Sequence, residues 1–292
     1  MSAQRTIQRP LRDAPTRGNR KRIIWAFILA AAIVILGYSL WIEPFSIEVV
    51  HTAIQGNIST PLRIAQLSDL HTHGVGVRER RMLDILDDEK PDVIVITGDS
   101  LAGYGGTFAN VADVLLQMHA PLGVWIVRGN YENWKQMQHE HSFYANAGAH
   151  LLLNTGTLLR NDVWLGGLDD PYTGKASVEG ALTGAPPGIY TILLFHSPAY
   201  FDRVAGKVDL ALAGHTHGGQ VRPPFLPPLF LPKGCWPYVA GWYDAKGTNS
   251  KLYVNRGMGT SMLPIRFNSR PEVTIITIEP AAKPPASSAV AP

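Results

Sequence analysis

The chain has 292 residues, of which 46% are hydrophobic and only 17% charged, with 28 glycines and one cysteine. That length accommodates one or two domains with a large core, and the apolar content excludes a disordered or collagen-like chain. A lone Cys235 excludes an intrachain disulfide and any cysteine-cluster zinc site.

The formal charge of +3 is unevenly placed. Residues 1–22 hold Arg5, Arg9, Arg12, Arg17, Arg20, Lys21 and Arg22 against one acid, Asp13, a balance of +6. The remaining 19 basic and 22 acidic residues give the body −3. A slightly acidic body does not attract nucleic acid, and no nucleic-acid partner is expected.

Directly after the basic arm, Ile23–Ile42 runs for 20 residues without a charge. As a helix it spans about 30 Å, the thickness of a bilayer core. Trp25 near one end, and Tyr38 and Trp41 near the other, suit the two interfaces. No small-x-small cleavage signal follows, so the segment reads as a single-pass signal anchor. The positive-inside rule keeps residues 1–22 cytoplasmic and puts the body across the membrane. In a bacterium this is an inner-membrane protein with its body on the periplasmic or outer face.

The body, residues 43–279, alternates short apolar runs with amphipathic stretches. Strands are predicted at Leu62–Leu67, Val93–Thr97, Gly123–Arg128, Tyr190–Phe195 and Val208–Ala213, and helices over Arg80–Asp88 and Ala109–His119. This is an α/β pattern. Later strands at Val163–Leu168, Lys251–Asn255 and Val273–Ile278 have few helices between them and suggest a second sheet. Residues 280–292 have the composition of a disordered tail.

The residues that follow the first five strands carry the chemistry. They are Asp69 and His71, then Asp99, then Asn130 in Gly129-Asn130-Tyr131-Glu132, then His196, then His215 and His217 in GHTHGGQ. Ligands gather outside the carboxyl ends of strands in α/β proteins. Singly, the pieces are weak: Asn130 also suits a helix cap, and His196 a hydrogen-bonded structural role. Together they are seven oxygen and imidazole donors without thiolate, a set that suits two divalent cations of Mn, Fe or Zn.

In this order the motifs D-x-H, G-D, G-N-x-E, a lone His and G-H-x-H resemble the calcineurin-like metallophosphoesterase superfamily. The stretches LGGLDDPYTG, AGHTHGGQVRPPF and YVNRGMGTSMLPIRF are similar to its membrane-anchored bacterial phosphodiesterase branch over most of Pro61 to Glu279. The resemblance implies a four-layered α/β/β/α sandwich with two mixed sheets. It implies one metal held by Asp69, His71 and His217, a second held by Asn130, His196 and His215, and Asp99 bridging both. It also implies attack on phosphorus by a metal-bridging hydroxide, which needs no Ser or Cys nucleophile.

One position departs from the resemblance. Much of the family has a His that assists the leaving group where this chain has Tyr131, a much weaker acid. Tyr131 either hydrogen-bonds a phosphate oxygen or packs beside the site, and His73 is a candidate for the missing role. Proline-rich Arg222–Tyr243, directly after GHTHGGQ, is expected to pack on the core, cover the site or touch lipid, with Arg222 and Arg266 as candidate phosphate contacts. The expected substrate is a phosphodiester or pyrophosphate, small or lipid-linked, with UDP-2,3-diacylglucosamine of lipid A synthesis as the example the resemblance suggests. Alternatives are a phosphomonoesterase or phosphoprotein phosphatase with the same metal site, and an inactive membrane-tethered binding protein.

Overall fold

The computed structural model of the chain describes residues 17–281; the distal basic arm, 1–16, and tail residues 282–292 lie outside the described residues. The chain divides into two compact units between Tyr38 and Ser39. The first is formed by α1 (Arg17–Trp41), whose last turn belongs to the second unit. Ile23–Leu36 is exposed along its length, and the helix is long and apolar enough to cross a membrane.

The second unit contains strands β1 (Glu48–Gly56), β2 (Leu62–Leu67), β3 (Val93–Ile96), β4 (Val124–Ile126), β5 (Ala149–Leu151), β6 (Thr155–Arg160), β7 (Val163–Gly167), β8 (Tyr190–Leu194), β9 (Leu210–Ala213), β10 (Gly241–Asp244), β11 (Lys251–Val254) and β12 (Glu272–Pro280). Its helices are α2 (Val77–Glu89), α3 (Phe108–Leu115), α4 (Asn130–Trp134), α5 (Glu140–Asn146), α6 (Val178–Leu182) and α7 (Phe201–Val204). One sheet has the order β1-β12-β2-β3-β4-β5 and the other β10-β11-β9-β8-β7-β6. Both are mixed: β12 runs antiparallel to β2, and β6 and β10 antiparallel to their neighbours.

Period-two alternation builds the layers. Ile64, Val93, Val95, Ile192, Leu210 and Leu212 meet between the sheets. Their sequence neighbours face outward on the other side of each strand: Ala65, Ile94 and Ile96 pack with Met82 and Val111 of the first helical layer. Leu193, Ala211 and Ala213 pack with Val178 and Phe201 of the second. Strands buried on both faces read as continuous apolar runs for this reason. Each buried Val, Leu, Ile, Met or Phe among these contributes about 1.5–3 kcal/mol. The expected four-layered α/β/β/α sandwich is the fold observed.

The stretch after the anchor joins the body directly, because β1 pairs in parallel with β12 along its whole length, from Glu48↔Glu272 to Gly56↔Pro280. The same pairing carries β12 through Pro280, and the Ala281 N–H donates to the Gly56 carbonyl.

Candidate metal centre

The carboxyl ends of β2, β3 and β4 in one sheet and of β8 and β9 in the other converge on a single site. Within it are two clusters, Asp69–His71–His217 and Asp99–His196–His215, each with ligand atoms within 4.8 Å of one another. His217 Nε2 lies 3.3 Å from both Asp69 Oδ1 and His71 Nε2. Asp99 Oδ2 stands 3.1 Å from His196 Nε2 and 3.8 Å from His71 Nε2, and so faces both clusters. Asn130, the first residue of α4, is buried with its Oδ1 lacking a hydrogen-bond partner.

The backbone is forced into these positions. Asp69, His71, Asp99, His215 and His217 all have φ between +40° and +68°. Non-glycine residues rarely adopt that left-handed region, at a cost of order 1–3 kcal/mol each. Hydrogen bonds between the strand-end loops hold them there: Asp69 N–H donates to the Gly98 carbonyl and His71 N–H to the Asp99 carbonyl, both at 3.0 Å. Glycines allow the close approach. A Cβ on Gly129 would overlap the Asp99 carboxylate, and one on Gly214 would overlap Ser68 Oγ and the Asp69 carboxylate.

Ring orientation is fixed by carbonyls, which only accept. His71 Nδ1 donates to the Leu101 carbonyl at 3.1 Å and His196 Nδ1 to the Thr97 carbonyl at 2.8 Å, which turns each Nε2 toward the centre, where the neutral ring offers a lone pair. Burial lowers the His71 and His215 pKa values to about 4, so both rings are neutral at neutral pH. Burial opposes charge on Asp69 and Asp99 too, but the adjacent imidazoles, His217 and His196 respectively, outweigh it and lower both pKa values. His196 shows the converse: burial disfavours its cation, yet Asp99 raises its pKa well above the ordinary value.

The donor set fits two divalent cations. Asn130 Oδ1 is buried with no hydrogen-bond partner, which costs about 1–3 kcal/mol unless something else satisfies it, while Asp69 Oδ1 and His196 Nε2 face only other members of the two clusters. All three point to metal ligation.

Not every predicted residue joins the site. Tyr131 does: its N–H donates to Asp99 Oδ1 at 2.9 Å, its ring meets His71 edge-on at 4.7 Å, and its hydroxyl lies 3.2 Å from Ser261 Oγ. His73 is exposed and lines a groove with Phe45, Val77 and Arg78 that includes none of the ligands. Arg266 is no phosphate contact. It is fully buried, and its guanidinium donates to the Gly259, Ser269 and Gly257 carbonyls, which fixes the loop beneath His217. Arg222 is partly buried with an unpartnered Nε and remains a candidate.

Glu132 is the functional residue that motif reasoning passed over. Its Oε2 accepts the N–H groups of Asp99 at 3.0 Å and Gly129 at 2.8 Å, and its Oε1 accepts Leu101 N–H at 2.9 Å. It therefore ties the loop of Asp99 to that of Asn130. The available signal was its place in Gly-Asn-x-Glu, with the acid three residues after the glycine that precedes a helix.

A four-layered sandwich with paired Asp/His clusters at its strand ends defines a dinuclear metal-dependent phosphoesterase. The chain belongs to the calcineurin-like phosphoesterase family, whose model matches residues 62–219 and so includes all seven ligand candidates. It is 31% identical over 266 residues to the uncharacterized metallophosphoesterase YkuE of Bacillus subtilis, covering 83% of this chain and 89% of that protein. An uncharacterized metallophosphoesterase of Aquifex aeolicus is 30% identical over 270 residues, 87% of this chain and 97% of the relative. Phosphodiesterase YaeI of Escherichia coli is 29% identical over 255 residues, 83% and 92% of the two chains.

Proposed function

We propose that the protein is a membrane-anchored phosphodiesterase or pyrophosphatase acting on a lipid-linked or amphiphilic phosphate ester, with its body on the face opposite the basic arm. The observation that carries the choice of bond is Tyr131. Its hydroxyl is within hydrogen-bond distance of Ser261, and its ring packs on His71, so it is a poor source of a proton for the leaving oxygen. Such a site favours leaving groups that need little protonation, as in an anhydride or an activated diester. The resemblance to a relative named as a phosphodiesterase supports the same reading.

In this reading Asp69, His71 and His217 would hold one cation and Asn130, His196 and His215 the other, with Asp99 placed to serve both clusters. Two divalent cations supply charge neutralisation on the phosphate oxygens and a lowered pKa for the attacking water. The protein's own contribution is orientation: the Leu101 and Thr97 carbonyls aim the imidazoles, and Glu132 sets the distance between two loops. The acidic body needs no basic patch to take an anion, because bound cations provide the positive charge. UDP-2,3-diacylglucosamine belongs to the proposed class. The topology, however, favours an amphiphile on the non-cytoplasmic face over that cytoplasmic nucleotide.

The test compares bis-p-nitrophenyl phosphate with p-nitrophenyl phosphate under added Mn²⁺, with Asp99→Asn and His215→Ala as controls. Faster turnover of the monoester, or activity that survives both substitutions, would overturn the assignment. A C-terminal alkaline phosphatase fusion is expected to be active in the periplasm, and an inactive fusion would reverse the topology.

A further inference from the structure

Two loops beside the metal centre expose apolar side chains at their tips. Phe225 is fully exposed, Met262 is 88% exposed, and Leu229 and Phe230 are 69% exposed each; Leu226 and Leu263 lie on the surface beside them. Phe225 and Met262 also have φ near +60°, a strained backbone for residues that gain no packing in return. Burial of these side chains against an apolar phase would remove that surface from water.

The loops are joined to each other and to the end of the membrane helix. The Gln220 amide donates to the Ser261 and Leu263 carbonyls at 3.0 Å, while its Oε1 accepts the Ser261 N–H at 2.9 Å. Val221 bridges to Phe267, and the Arg222 N–H donates to the Phe267 carbonyl. The Arg266 N–H donates to the Ser39 carbonyl at 3.0 Å, two residues before α1 ends at Trp41, and the Ser269 N–H donates to the Glu43 carboxylate. Met262 lies four residues from Arg266, and so within about 14 Å, by chain length alone, of the residue that meets the last turn of the helix. Charge agrees with this placement. Residues 218–243 and 257–269 include no Asp or Glu, in a body whose net charge is −3. A surface of apolar tips without acidic groups suits the interface of a bilayer with anionic lipids.

We infer that the 221–230 and 261–264 loops form a bilayer-docking surface, with Phe225, Leu229, Phe230 and Met262 inserted among lipid headgroups and the metal centre held at the membrane surface. The inference rests on the proposed function and narrows it, since substrate would reach the site from the lipid layer. Docking adds contacts that α1 alone does not make.

The experiment uses the full chain in phosphatidylethanolamine/phosphatidylglycerol nanodiscs. Phe225→Cys, Met262→Cys and Asn249→Cys, each in a Cys235→Ser background, carry an environment-sensitive fluorophore. Asn249 is exposed on the turn before β11, and β11 runs parallel to β9, so this control lies at the end of the sheet away from the site. Doxyl-labelled lipids are expected to quench the fluorophore at 225 and 262 by about twofold or more and to leave 249 unchanged. Equal quenching at all three positions, or none at 225 and 262, would overturn the docking surface. Hydrolysis of bis-p-nitrophenyl phosphate by the unlabelled chain is measured in the same discs. If that activity is absent, the catalytic reading fails while the quenching pattern still decides the docking surface.

Discussion

Asp99 Oδ2 stands 3.1 Å from His196 Nε2 at the centre of the site, two buried groups of opposite charge tendency. Burial works against the His196 cation, but Asp99 raises its pKa well above the ordinary imidazole value of about 6.5. In the metal-free protein the Asp99 carboxylate therefore favours the protonated form of His196. A raised folded pKa contributes stability that is complete below about pH 6.5 and is lost as pH rises through the folded value. Metal ligation requires the neutral ring, so a cation entering this cluster expels that proton. His215 and His71, lowered to about 4, have none to lose. Calorimetric metal titration at pH 7 in buffers of different ionisation enthalpy is expected to show about one proton released at the Asp99 cluster. Zero protons there would mean that His196 is already neutral.

Glu132 is expected to act through Asp99 rather than on substrate. Both its oxygens accept backbone N–H groups, so Glu132→Gln turns an amide NH₂ toward a donor. The substitution should destabilise the metal-free protein by about 1–3 kcal/mol. It should also weaken metal binding by about 10–100-fold. Urea melts of the metal-free protein and a chelator competition assay check the two effects separately. Unchanged metal affinity would confine Glu132 to a stabilising role.

Gly129→Ala tests steric access rather than backbone freedom, because Gly129 has φ −104°. The added methyl would meet the Asp99 carboxylate and backbone nitrogen. The variant should keep the far-ultraviolet circular dichroism of the parent and bind at least one metal equivalent fewer. Full metal content would show that the Asp99 loop can yield.

Tyr131→Phe should change bis-p-nitrophenyl phosphate turnover by less than about twofold, since the hydroxyl is directed at Ser261. His73→Ala should be equally mild, as His73 is exposed and apart from the ligands. Tyr131→His, which restores an acid near the physiological range, should raise turnover of poor leaving groups such as alkyl monoesters by about 10²-fold or more. A large loss in Tyr131→Phe would identify the hydroxyl itself as a catalytic group.

Central and edge strands differ in how well the sequence reveals them. All eight strands expected from the sequence occupy inner positions of the two sheets, whereas β1, β5, β6 and β10, which were not expected, occupy the four edges. Inner strands are buried on both faces and read as apolar runs. An edge strand such as β1, EVVHTAIQG, keeps polar residues on an exposed side and loses that signature. Short helices α4 to α7 were missed because four to seven residues show too little periodicity.

The sequence by itself determined the charge partition, the apolar helix and the donor residues at strand ends, because each depends on residue type and local spacing. The tertiary structure decided which donors converge, and it alone showed Asp99 facing both clusters. It removed Arg266 from the surface, since a buried guanidinium satisfied by carbonyls is indistinguishable in sequence from a free one. It gave Glu132 its role as well, because three N–H donors from two loops meet only after the sheet brings β3 and β4 side by side. Hydrogen bonding across loops is set by the fold, and local sequence has no record of it.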